Sequence, residues 1–135
     1  MRQMSGGCLC GHIRYSAEAE PIMTAICHCN DCQRQTGSAF AVVVAVPRPV
    51  LKMQGQARIF KGQGASGKPV YRHFCADCGS PLFVEIDVMP DVAFIRAGTL
   101  DDKTWLQPTV EVWCETAQPW TQQHLDMQRF ERMPG

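Results

Sequence analysis

The sequence predicts one mainly β domain, and three observations predict it. Short alternating or β-branched apolar runs recur along the chain, and no segment carries the periodicity of a long amphipathic helix. The third is length: 135 residues suit one core and are too few for two comfortable ones. Ile13, Tyr15 and Ala17 alternate with Arg14, Ser16 and Glu18, which reads as a half-buried strand. Ile22 to Cys27 is a second apolar approach. Ala39 to Val46 is continuous and β-branched, the pattern of a strand covered on both faces, and Pro47 and Pro49 stop it. Val50 to Gln54 and Ala57 to Lys61 are predicted to form a hairpin around Gly55-Gln56, followed by a flexible loop from Gly62 to Gly67. Val70 to Phe74, Leu82 to Ile86, Val92 to Ala97 and Thr109 to Glu115 complete the strands. Single helical turns are predicted after Cys29 and at Asp101 to Trp105.

Charge and composition exclude several classes. Apolar types make up 45% and charged types 19% of the chain, with 13 basic residues against 13 acidic ones. A neutral chain without a basic aromatic stripe argues against nucleic acid as a partner. The longest apolar run is too short to cross a membrane, and no export signal is seen at the start, so a reducing, cytoplasmic setting is expected. The zero balance is split. Residues 1–75 carry nine Lys/Arg and three Asp/Glu, and residues 76–135 carry four and ten, giving +6 and −6. Within 32–76, Arg34, Arg48, Lys52, Arg58, Lys61, Lys68 and Arg72 have no acid among them. Their bland reading is a solvated surface; their functional reading is a positive rim for a small carboxylate, with Arg34 nearest the chemistry.

The eight cysteines carry the strongest signal. Seven fall in three clusters: Cys8-Leu-Cys10, Cys27-His-Cys29-Asn-Asp-Cys32 and Cys75-Ala-Asp-Cys78. In a reducing compartment, thiols this closely spaced point to a metal rather than to disulfides, and zinc takes about four soft ligands. Two partitions are sensible. Either Cys8, Cys10, Cys75 and Cys78 close one site while Cys27, Cys29 and Cys32 leave another open, or Cys114 joins the triple and both are closed. Alternation with Val110 and Val112 favours Cys114 as a small buried hydrophobe. His28 is expected to brace its knuckle by a hydrogen bond rather than move protons. His12 and His73 read as packing residues first, and His124 carries no signal. Gly11 and Gly79 are placed to supply the positive φ that closes a thiolate knuckle. Gly37 and Ser38 can bring a substrate near the backbone, and Trp105, Trp113 and Trp120 read as core or interface residues.

These motifs carry a resemblance. Gly6-Gly-Cys-Leu-Cys-Gly11 followed by Ile13-Arg-Tyr15, Cys27-His-Cys-Asn-Asp-Cys-Gln-Arg-Gln-Thr-Gly37, and Phe74-Cys-Ala-Asp-Cys-Gly-Ser-Pro-Leu82 resemble the glutathione-dependent formaldehyde-activating enzyme (GFA) family, which shares its domain with the centromere protein V group. Ala97-Gly-Thr-Leu-Asp-Asp102 and a strand ending near Trp120 also fit, so the match spans about Gly6 to Trp120 of a single domain, residues 1–135. The resemblance implies Mss4-like layered antiparallel sheets held by zinc-thiolate knuckles. It also implies two zincs per chain: a structural one on Cys8, Cys10, Cys75 and Cys78, and a catalytic one on Cys27, Cys29 and Cys32. The implied activity is that of a carbon–sulfur lyase, with glutathione or another small thiol as partner and formaldehyde or a related aldehyde as the second reactant. A non-catalytic zinc-stabilised binding module of the same fold is the competing reading. An open three-thiolate site distinguishes them, because a pure scaffold has no reason to leave a zinc three-coordinate.

Overall fold

A computed structural model describes residues 1–121 and 127–134. His124 lies outside the described residues. The strands are β1 (Arg2–Gly7), β2 (Arg14–Ala19), β3 (Met23–Cys27), β4 (Ala41–Pro47), β5 (Lys52–Gln54), β6 (Arg58–Gln63), β7 (Pro69–Phe74), β8 (Pro81–Ile86), β9 (Met89–Arg96), β10 (Val110–Val112) and β11 (Gln128–Arg129). One helix, α1, spans Asn30–Thr36. The strands make two layers: a three-stranded sheet in the order β1-β2-β5, and an eight-stranded sheet in the order β11-β10-β3-β4-β9-β8-β7-β6.

Strand β4 explains the layering. It lies inside the large sheet between β3 and β9, so both of its faces must be apolar. Val44 and Val46, fully buried, point to one side and pack with Ile95, Ala93 and Leu82 against Met4, Ile13, Tyr15 and Ala17 of the small sheet. Val43 and Ala45 point to the other side and join Ala25, Val70, Val84 and Phe94. The continuous run in the sequence thus feeds two separate cores.

The predicted hairpin at Gly55-Gln56 does not form. β5 pairs antiparallel with β2, whereas β6 pairs antiparallel with β7, so the chain crosses between layers at this point. Alternation gives a strand's faces but not its neighbour, and here the two short strands are claimed by different sheets. β6 runs on to Gln63, which shortens the predicted loop to the tip of a β6–β7 hairpin. β1 was not visible in the sequence, because only Met4 among its residues is a large apolar side chain.

The C-terminal part departs further. β10 ends at Val112 because Trp113 takes a left-handed backbone (φ 58), and a 3₁₀ turn follows at Cys114–Thr116. Cys114 is therefore half-buried and off the expected strand face, and no strand reaches the exposed Trp120. Asp101 to Trp105 is not helical; the 3₁₀ turn lies earlier, at Ala97–Thr99. β10 also pairs parallel with β3 and β11, so the sheets are antiparallel except at this edge.

The division between buried and edge strands gives a stability contrast. Ile95→Ala, at a fully buried position, is expected to cost about 2–5 kcal/mol in chemical denaturation. Phe60→Ala, on the exposed β6 edge, is expected to stay within about 0.5 kcal/mol of the parent.

Candidate metal centres

Backbone geometry delivers the first cluster. Cys8 leaves β1 and Cys75 leaves β7, and each begins a tight loop in which a glycine N–H bonds back to the cysteine carbonyl. Gly11 N–H donates to the Cys8 carbonyl (3.1 Å) and Gly79 N–H to the Cys75 carbonyl (2.8 Å). Gly11 (φ 82) and Gly79 (φ 79) supply the left-handed turn in each loop, as the sequence predicts. The loops face one another, and Leu9 N–H donates to Ser80 Oγ across them (3.0 Å). Ile13 N–H donates to Cys8 Sγ (3.2 Å), stabilising negative charge on that sulfur. The hydroxyl of Ser80 and its N–H together bring the Cys78 thiol down to about 5. Cys8, Cys10, Cys75 and Cys78 place their sulfurs within 4.8 Å of one another.

The second cluster is built where β3 turns into α1. Cys27 ends β3, and Cys29 caps the helix by accepting from Cys32 N–H (3.2 Å). Cys32 follows on the first helical turn and is buried. The three sulfurs again lie within 4.8 Å of each other, and Cys114 is not among them. The spatial grouping is four plus three, with Cys114 left out.

Both donor sets fit a tetrahedral thiophilic metal. Ligands at about 2.3 Å from zinc would stand roughly 3.8 Å apart along the tetrahedron's edges. The sulfur separations are 3.6 Å for Cys8–Cys10, 3.7 Å for Cys10–Cys75 and 3.4 Å for Cys27–Cys32, too long for disulfide bonds and close to that edge. Thiols so crowded share protons unevenly. The Cys29 and Cys32 sulfurs drive the Cys27 thiol far up, while hydrogen bonds from Cys27 and Cys29, and then the charge of Arg96, hold Cys32 down to about 2. A bound cation is what would let all three ionise together.

The surroundings correct one expectation and add three residues. Arg34 is exposed and turns away, onto an open depression that Gly37 and Ser38 also line, so none of the three faces the thiolates. The cation beside the cluster is Arg96, 5% exposed, whose Nη1 lies 3.9 Å from Cys32 Sγ while Nη2 bonds Gln35. A charged residue closing the apolar run Val92–Ile95 was its only sequence signal. The second is Arg72, buried on β7 within reach of Asp31 (3.7 Å). The third is Glu111, 2% exposed, whose Oε1 is 3.0 Å from His28 Nε2 and whose Oε2 is 3.3 Å from Arg129. His28 is thus a brace, as predicted, and its carbonyl accepts from Gln33 and Thr116 (2.8 and 2.9 Å). His12 is exposed near Asp77, and His73 stacks on Phe83 with Nε2 2.8 Å from Glu85. Trp105 packs on the first core, while Trp113 lines the cavity described next.

The triple opens on a cavity of about 540 Å³ over the second face of the large sheet. Register explains the placement. Cys27 stands in line with Ala25 and Met23 on β3, Val43 lies opposite Ala25 and Arg96, and Val84 lies opposite Phe94 and Arg72. Sulfur, apolar wall and both arginines therefore rise from one face. The four-cysteine cluster is absent from the cavity lining.

A layered β protein with one set of four cysteine sulfurs and one of three beside a cavity defines a class with two candidate metal sites. Comparison with known proteins makes this specific. The model of the family described as "Glutathione-dependent formaldehyde-activating enzyme" matches residues 3–116, and the chain belongs to that family. A Penicillium rubens protein described as a "Putative glutathione-dependent formaldehyde-activating enzyme" is 28% identical over 85 residues, 61% of this chain and 44% of its own length. The chain therefore spans less than half of that relative. A crystal structure of a Rhodobacter sphaeroides protein superposes with a TM-score of 0.60 at 18% identity, covering 78% of this chain and 92% of that one, which shows a shared fold.

The buried His28–Glu111 contact yields a test. Glu111→Ala strands the buried His28 and releases the exposed Arg129, and thermal unfolding is expected to register a loss of about 1–3 kcal/mol. Glu111→Gln, which keeps the shape and an acceptor, is expected to lose less.

Proposed function

We propose that the chain is a zinc-dependent enzyme that makes or breaks a carbon–sulfur bond in the thiol adduct of a small aldehyde. Cys8, Cys10, Cys75 and Cys78 would hold a structural zinc, and Cys27, Cys29 and Cys32 a catalytic one. The carrying observation is the unequal surroundings of the two clusters: the triple borders the cavity and the foursome does not. Family membership supports the reaction class, and glutathione with formaldehyde is the first pair to try.

Zinc at the triple would supply a soft Lewis-acid position where a substrate thiol loses its proton. The chain's own residues then have definable tasks. Arg96, 3.9 Å from Cys32 Sγ, offsets the charge of three thiolates, which would otherwise repel a fourth. The helix cap at Cys29 and the brace at His28 fix the sulfurs, which limits reorganisation during reaction. The apolar wall beside the triple gives the non-reacting part of a substrate a surface to bury against. In the forward direction sulfur bonds to the aldehyde carbon, the carbonyl π bond opens, and the thiol's proton ends on the new hydroxyl oxygen.

Two experiments check this reading. Exchange between formaldehyde, glutathione and their adduct is followed by NMR with catalytic protein; acceleration over the spontaneous rate supports the named pair, and no acceleration refutes it. Metal analysis of the purified protein is expected to give two zincs per chain, one of them released by mild chelation. Cys75→Ser is expected to abolish cooperative unfolding, whereas Cys29→Ser stays folded with about one zinc. Equal loss of folding in both variants would contradict the division of roles.

A further inference from the structure

Resting on the carbon–sulfur reading, we propose that the cavity selects a substrate whose non-reacting part is an apolar body ending in one carboxylate, in preference to the glutathione peptide. Three observations carry this.

The floor is made by Ala25, Val43, Val84 and Phe94, with Ile86 and Val112 beside them, and none offers a side-chain hydrogen bond. Strand pairing also commits the floor's backbone groups to the sheet. Asn30, Gln63, Ser66 and Thr116 also line the cavity, but over this floor the two amides, two carboxylates and ammonium of glutathione would lose water without a partner. An alkyl or aryl chain loses nothing by entering.

Positive charge is nonetheless built into the cavity. Lys68, Arg72 and Arg96 line it, against Asp31 as the one carboxylate among the described lining residues. Lys68 is exposed, and Arg96, though its Nε is also unpartnered, is held by Cys32 and Gln35, which leaves Arg72 as the buried cation most open to a ligand.

Arg72 is unsatisfied where it stands. Its side chain is 11% exposed, and its Nε has no hydrogen-bond partner. Its one anionic neighbour, Asp31, is 3.7 Å from Nη2 and 59% exposed, so water competes for that carboxylate. A guanidinium buried to this degree with an idle donor is suited to a ligand carboxylate, which two N–H groups can grip at once. The Arg72 guanidinium also reaches Asp31, the residue before Cys32, so a carboxylate gripped there lies within one short apolar body of the three-sulfur cluster.

The test uses the metal-loaded protein and probes without a thiol, so that no carbon–sulfur chemistry enters. Calorimetry measures 4-phenylbutyrate, 4-phenylbutanamide and S-methylglutathione. The carboxylate is expected to bind about tenfold or more tightly than either competitor. Arg72→Gln is expected to bring the acid-over-amide preference below about threefold, and Arg72→Lys to restore part of it. Should Arg72→Gln fail to fold, methyl shifts of Val43, Val84 and Val112 in the parent protein decide whether the acid enters the cavity. Equal binding of acid and amide, tighter binding of S-methylglutathione, or methyl signals unmoved by the acid would overturn the proposal. Binding as expected with no exchange activity would refute the glutathione–formaldehyde pair alone; exchange activity with no acid preference would overturn this proposal alone.

Discussion

Close-set sulfur atoms impose the constraint that the rest of the molecule answers. Three or four thiolates within 4.8 Å repel one another, and only a cation among them, with N–H groups around them, makes the arrangement favourable. The chain meets that demand locally, through the paired Cys8 and Cys75 loops and the helix that starts at Cys29. It meets it globally by bringing together residues more than 60 positions apart, Cys10 beyond a strand of the small sheet and Cys75 beyond one of the large sheet.

The large sheet divides its faces between stability and chemistry. One face is covered by β1, β2 and β5 and filled with aliphatic side chains. The other carries a thinner apolar layer that stays accessible and ends at the three-sulfur cluster. Because strand residues alternate, a single sequence such as Val42 to Val46 serves both purposes at once. Charge follows the same division: Arg72 and Arg96 are on the cavity face, whereas His73 stacks with Phe83 against the other core.

Local patterns in the sequence made much of this legible. The cysteine spacings gave the four-plus-three grouping together with the family resemblance, and the β-branched run gave the doubly covered strand. Strand pairing was beyond reach where runs were short, as at β5 and β6, since neither carries enough apolar surface to name its partner. Arg34 looked close to the chemistry because it follows Cys32 by two residues, but on a helix that offset rotates a side chain to another face. Arg96 and Glu111 reach the cluster from strands 64 and 79 positions beyond Cys32, distances that only the folded sheet closes. Trp113 broke the last predicted strand through a left-handed backbone that no apolar pattern announces.

The parallel docking of β10 beside β3 has a consequence for how the protein comes into being. On the ribosome, every sulfur of both clusters has been made once Cys78 emerges. Cys27, Cys29 and Cys32 are made earlier still, but Glu111, which anchors His28 between them, arrives only with β10. Until then the triple lacks the carboxylate that braces His28 between its sulfurs. Its final geometry belongs to the finished chain.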